Sequence, residues 1–299
     1  MIKLKGPKLC KKQHIATLIL ILTLITLNNT NLSKPQPSPH PVHNINTGIN
    51  YATIQAAINA PETLNGHIIY VEAGTYIEPL VINKSITLIG ENKQNTIIDG
   101  NHTQNILYIT ANNVKIENLT IKNSGFGYSA IHLSHTHECN ITNNVLKNSY
   151  YGIQLYNSNK NLIYANLISN CEYGIHTYNS TNNNISTNTI QKNKNGIHLH
   201  TSHQNTIHAN TISLNTWNGI YLYSSTNNTI SSNTLTLNKA RGIRLHNSTN
   251  NTLSYNAITK SQDAIHLYES SNNKLSINTI QNNTDGIWLA HSHQNTIHA

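Results

Sequence analysis

The chain has 299 residues, of which 37% are apolar and only 10% charged. About one residue in six is Asn, a bias that suits neither an ordinary mixed core nor a disordered chain, because Ile and Leu recur at regular spacing. The formal charge of +8 owes much to Lys3, Lys5, Lys8, Lys11 and Lys12; the remaining 14 basic residues face 11 acidic ones, which gives no ground for a nucleic-acid partner.

Those five lysines lead into IATLILILTLITL, Ile15 to Leu27. A basic stretch followed by a short apolar run is the pattern of a secretory signal, and thirteen residues are few for a membrane span. Residues 1–33 therefore read as a signal peptide. No clear small-residue cleavage site follows, so an uncleaved leader acting as an anchor stays open, and it is the only membrane contact expected. The rest of the chain is expected outside the cytoplasm, secreted or at the cell surface. Residues 34–49 contain KPQPSPHPVHN and read as an extended Pro-rich linker. Residues 50–299 read as one domain. Its first phrase, YATIQAAINA, predicts a short helix ended by Pro61, and residues 50–129 predict a cap and irregular first turns. Cys10 falls in the leader, and Cys139 and Cys171 take different places in the repeat described next, so no disulfide framework is expected. Asn-x-Ser/Thr triplets, such as those at Asn83, Asn179 and Asn247, suit an exported surface.

From residue 130 the chain repeats itself and stops mid-repeat at 299. Gly152, Gly174, Gly196, Gly219, Gly242 and Gly286 begin units, and Ala130 and Ala264 fill the same place; successive starts lie 22 or 23 residues apart. Ile always follows the start, and Leu comes two residues later except at Thr177. Offsets eleven and sixteen are Ile or Leu, as at Ile185 and Ile190 or Ile230 and Leu235. Apolar residues two apart in short segments give strand alternation, and no helical stripe runs through the unit. Three strands joined by corners make one turn of a coil, and successive turns stack as parallel strands about 4.8 Å apart. Offset fourteen is Asn in every full unit: Asn144, Asn166, Asn188, Asn210, Asn233, Asn256 and Asn278. Each stands two residues before an apolar position and should also point inward. A buried amide is costly alone, but stacked on its copy in the next turn it can bond to amide and corner backbone. Offset nine is Asn in all units but that of Cys139, and offset six is Ser or Thr, which suits a turn.

These units, preceded by IIYVEAGTYIEPLVINKSITLIGENKQNTIIDG, resemble the right-handed parallel β-helix proteins of the pectin-lyase-like superfamily, and among them the NosD-like repeats, also described as carbohydrate-binding and sugar-hydrolase repeats. The resemblance covers about residues 50–299. It implies an all-β, right-handed, single-stranded parallel β-helix with three strands and about 22 residues per turn, closed by a short N-terminal capping helix. It leaves function open, because such repeats serve many roles.

If Ile at offset one and Leu at offset three point inward, offsets two and four point outward. One column reads His132, Gln154, His176, His198, Tyr221, Arg244, His266 and Trp288; the other includes Tyr156, Tyr178, His200, Tyr223, His246 and Tyr268. Large β-formers stacked on like neighbours would stabilise a sheet by themselves. The functional alternative is a long platform for a polysaccharide or another surface component, with flat rings against sugar faces and hydrogen-bonding groups at the rim. The expected role is accordingly a non-catalytic surface rod that binds a glycan or a surface protein.

Two rivals remain. Arg241, Asp263 and Asp285 each precede a start residue in consecutive units, so two carboxylates should stack about 5 Å apart, a spacing compatible with a retaining glycosidase pair. That would make the chain a polysaccharide lyase or glycoside hydrolase. The NosD resemblance implies a periplasmic copper-handling role, for which His176, His198 and His200 on neighbouring turns are the candidates. No cofactor is expected from the residues themselves, because no ligand spacing fixes a site for copper or calcium. Finally, SHQNTIHA occurs at 202–209 and again at 292–299. The second copy halts before its offset-fourteen Asn, so further sequence or a partner is expected to cover Ile287, Leu289 and Ile297.

Overall fold

The computed structural model describes residues 41–298. The expected leader lies outside them, as do residues 34–40 of the expected linker. The linker reading needs correction at its end: Val42–Asn44 forms strand β1, paired antiparallel with both β2 (Ile49–Tyr51) and β3 (Ile68–Val71). The physical reason is alternation. Val42 and Asn44 are buried on either side of His43, and Asn44 Nδ2 donates to Thr63 Oγ1 at 2.8 Å.

Helix α1 (Ile54–Asn59) follows. Thr53 caps it by accepting from the Ala56 amide at 3.1 Å, a favourable N-cap contact. The face carrying Ile54, Ala57 and Ile58 is buried against the first strands, so α1 covers the apolar end of the coil.

Beyond it the chain winds as a right-handed parallel β-helix. Three sheets run its length, two of ten strands and one of thirteen. Each strand pairs with its counterpart one turn away in unshifted register, as Ile153 does with Ile175 and Ile175 with Ile197. Inside, Ile153, Ile175, Ile197, Ile220, Ile243 and Ile265 form one continuous file with no exposed surface. Burying each such side chain is worth about 1.5–3 kcal/mol.

The corners follow from the same alternation. In a regular turn four residues take positive φ, for example Asn179, Asn182, Thr187 and Lys192. Each is followed by an inward polar residue, here Ser180, Asn183, Asn188 and Asn193, all buried. A left-handed residue costs an L-amino acid free energy, and the buried side chain beside it holds the bend. Ser180 Oγ accepts from the Ser158 amide at 3.0 Å. Asn183 and Asn188 accept both the backbone and side-chain N–H of Asn161 and Asn166 in the preceding turn. The file containing Asn193, Asn215, Asn238 and Asn283 does the same work at the fourth corner. Its regularity is muted in sequence, because Ser149, Cys171 and Ser261 take the Asn place in three units. Cys139 and Cys171 occupy Asn positions in two of these files and are buried free thiols. At the last turn Ile287 is partly buried, and Leu289 and Ile297 are 39% and 49% exposed.

A stacked Tyr and His face as the candidate functional site

One sheet carries the long strands, six residues each from Ser129–Ser134 to Asp285–Ala290. Its outer face bears three adjoining files of rings. In the outermost, Tyr156 stacks on Tyr178 at 5.4 Å between centroids, and Tyr178, His200, Tyr223, His246 and Tyr268 continue edge to face at 5.0–5.1 Å. In the middle file His176 meets His198 at 5.1 Å, His198 lies flat on Tyr221 at 4.6 Å, and Arg244 spreads over Tyr221 at 4.8 Å. Farther on His266 stacks on Trp288 at 4.1 Å. Ring pairs of this kind add about 0.5–1.5 kcal/mol beyond their burial.

The third file was missed in the sequence. Tyr151 and Tyr173 precede Gly residues, yet they return to the same face: Tyr151 stacks on Tyr173 at 5.3 Å and on His176 at 5.1 Å, and Tyr173 on His198 at 5.5 Å. Tyr150 and Phe126 extend it round the corner, and Lys194 lies above the ring of Trp217. The Tyr just before Gly152 and the Tyr just before Gly174 were the available signal. This file also corrects an expectation. His176 and His266, read as outward, are only 8% and 7% exposed, because neighbouring rings cover them.

Burial sets the charge of the face. Desolvation, aided by His200, lowers the His176 pKa to about 4; desolvation, with His176, His200 and Arg244, lowers His198 to about 3. His176 Nδ1 and both nitrogens of His198 are buried without hydrogen-bond partners. The imidazoles are therefore neutral at pH 7, and burial likewise pushes the Tyr151 phenol up to about 12. A consequence can be measured. The unfolded chain takes up protons at these histidines near 6.5 and the folded chain does not, so stability is complete above pH 6.5 and is lost as pH falls from there towards 4 and 3. Urea midpoints should drop over that range in the wild type, and His198→Phe should flatten the drop; an unchanged slope in the variant would contradict this origin.

Comparison with known proteins bears on this face. The family described as "Periplasmic copper-binding protein (NosD)" matches residues 58–217 and 177–299. The chain belongs to the NosD family. A cell surface glycoprotein of Methanothermus fervidus is 33% identical to this NosD-family chain over 133 residues, 44% of the chain and 21% of that protein; the matched region is thus about a fifth of that relative's length. Among solved structures, the A-module of a mannuronan C-5 epimerase from Azotobacter vinelandii superposes with a TM-score of 0.61 at 15% identity, covering 82% of this chain and 90% of that one. Tailspike protein 2 of bacteriophage CBA120 gives 0.67 at 11% identity over 76% and 42%. A DFA-IIIase from Arthrobacter chlorophenolicus gives 0.60 at 12% over 82% and 86%. At such identities the likeness is one of fold.

The family description raises copper, and among the described residues the donors do not fit a copper or calcium centre. His176, His198 and His200 are links in ring stacks, and among the described residues no three His, Cys, Asp or Glu side chains gather as a ligand set. The acidic file is brought together only in part. Arg241, Asp263 and Asp285 lie in register on consecutive strands. However, Asp263 is buried with one oxygen, Oδ2, held by Arg241 Nε at 3.1 Å and by His266 Nδ1 at 2.8 Å, whereas Asp285 is exposed. The two carboxylates therefore stand in unlike settings, one committed to its neighbours and one facing solvent.

Proposed function

We propose that this NosD-family chain is an exported, surface-exposed rod that binds a glycan along its Tyr and His face without transforming it. The observation that carries the reading is the unbroken run of rings from Tyr156 to Tyr268, one per turn and backed by a rigid sheet. A repeating flat surface matches a repeating ligand. The Methanothermus fervidus relative, named a cell surface glycoprotein, supports the location outside the cytoplasm. The test is a glycan array followed by calorimetry. Affinity should rise with oligosaccharide length, Tyr223→Ala should weaken long-chain binding about tenfold, and no reducing ends or unsaturated sugars should appear. Binding that stops improving beyond one sugar ring would count against a platform.

One observation favours a second reading, a polysaccharide-active enzyme. Asp263 fixes His266 through Nδ1 at 2.8 Å, which leaves Nε2 as a base on the same face. Turnover lost in both His266→Ala and Asp263→Asn would select that reading over the binding rod.

A further inference from the structure

The turn that precedes the first regular repeat is longer than those after it. Ile131 pairs with Leu107, twenty-four residues back, whereas Ile153 pairs with Ile131, twenty-two back. The excess is a loop around Gly127, whose φ of 79° places it where glycine is favoured. The loop lifts Phe126, which is 90% exposed, and Tyr128 beside the start of the ring strip. Behind Tyr128 opens a cleft of about 530 Å³, walled by Tyr108, Tyr128 and Tyr156. Tyr156 is also the first ring of the outermost file.

The floor of this cleft has its protons fixed. The Ser129 amide donates to Asn105 Oδ1 at 2.8 Å, so Asn105 presents Nδ2 to His132 Nδ1, 3.4 Å away. His132 Nδ1 must then accept, and its proton sits on Nε2. Burial, with His135 nearby, lowers the His132 pKa to about 4, which keeps the ring neutral. That Nε2–H is buried and meets no acceptor in the protein, so a donor is left unmet at a residue that lines the cleft. Gln154 adds a second donor: its Oε1 is taken by Ser129 Oγ at 2.9 Å, which leaves Nε2 to point elsewhere. No Asp, Glu, Lys or Arg lines the cleft. Aromatic walls, amide and imidazole donors and the lack of a carboxylate, Lys or Arg partner are the chemistry of an uncharged sugar ring rather than an acidic one.

We propose that the cleft is an end subsite, which takes the terminal uncharged pyranose of a glycan whose remaining residues run over Tyr156 and Tyr178 along the strip. The course of the chain rests on the platform reading; the cleft does not. The probes are methyl pyranosides of glucose, galactose, mannose and N-acetylglucosamine, methyl glucuronide, and hexasaccharides ending in whichever neutral sugar binds. Saturation-transfer NMR and calorimetry on the full chain read the binding. At least one neutral methyl pyranoside should bind, methyl glucuronide should bind more weakly, and His132→Phe, which keeps a ring and removes the donor, should lower affinity tenfold or more. Tyr128→Ala, at an exposed loop position, should do the same without touching the core. The proposal is overturned if no methyl pyranoside binds, if the glucuronide is preferred, or if both variants bind as the wild type does. If the platform alone fails, the pyranoside still binds through His132 and lengthening it to a hexasaccharide gains nothing. If the cleft alone fails, the hexasaccharide binds equally well to wild type and to both variants.

Discussion

Replacing Asn188 by Ala should lower stability by about 3–5 kcal/mol, seen as a fall in the urea midpoint and as lost hydrogen-exchange protection in the turns on either side. Asn188 is buried, and its side chain makes five contacts. Its Oδ1 accepts from the Asn166 amide at 2.9 Å and from Asn166 Nδ2 at 3.1 Å. Its Nδ2 donates to Ile163 O at 2.9 Å, Ser186 O at 3.0 Å and Asn210 Oδ1 at 3.0 Å. Truncation strands several of these groups at once, and each unmet buried donor or acceptor costs about 1–3 kcal/mol. It also removes the pin beside Thr187, whose φ is 59°. Because each turn touches only its neighbours, the loss makes a weak joint in mid-rod and opens the structure there first. Asn278 lies in the same file but is only partly buried, and its Nδ2 donates to Leu253 O. Asn278→Ala should cost clearly less. Equal losses at the two sites would show that the amides do not act through burial.

The second large effect is steric. A Cβ on Gly219 would lie 2.7 Å from Gly242 O, 2.8 Å from Leu235 Cδ2 and 3.0 Å from Asn238 Nδ2. Ala130 and Ala264 occupy the same column and are fully buried, so the turns can make room for a methyl group. They have no such room for a branched side chain, and Gly219→Val should cost about 3 kcal/mol or more. Gly286 provides the contrast. Its Cβ would meet nothing nearer than Ile280 Cγ2 at 4.0 Å, and Gly286→Ala should change the urea midpoint little. A neutral Gly219→Val would mean that the column is looser than its packing implies.

The fold was legible because the repeat states the inward pattern so many times. Ile131, Ile153 and Ile175 each follow a start residue and each lies in the same buried file. The fourth corner was obscured because its place is held by Asn193, Asn215, Asn238 and Asn283 but by Ser149, Cys171 and Ser261 in the other units. The face was legible only in part. Alternation assigned Tyr178 and His200 to the outside, but it says nothing of Tyr151 and Tyr173, which rejoin that face past the Gly. Nor does it foresee that a neighbouring turn's ring would bury His176. For the acidic file, spacing gave the column of Asp263 and Asp285; the tie from Asp263 to His266 depends on side-chain direction, which no periodicity contains.

In the corner files the buried amides face one way: Asn144 donates to Asn166, Asn161 to Asn183, Asn188 to Asn210 and Asn215 to Asn238, from the earlier turn to the later. The rod therefore has an arrow. Its aligned dipoles do not cancel between layers, and a layer can be copied and inserted only in the same sense. A turn inserted in the opposite sense would set donor against donor on one side and acceptor against acceptor on the other in each corner file.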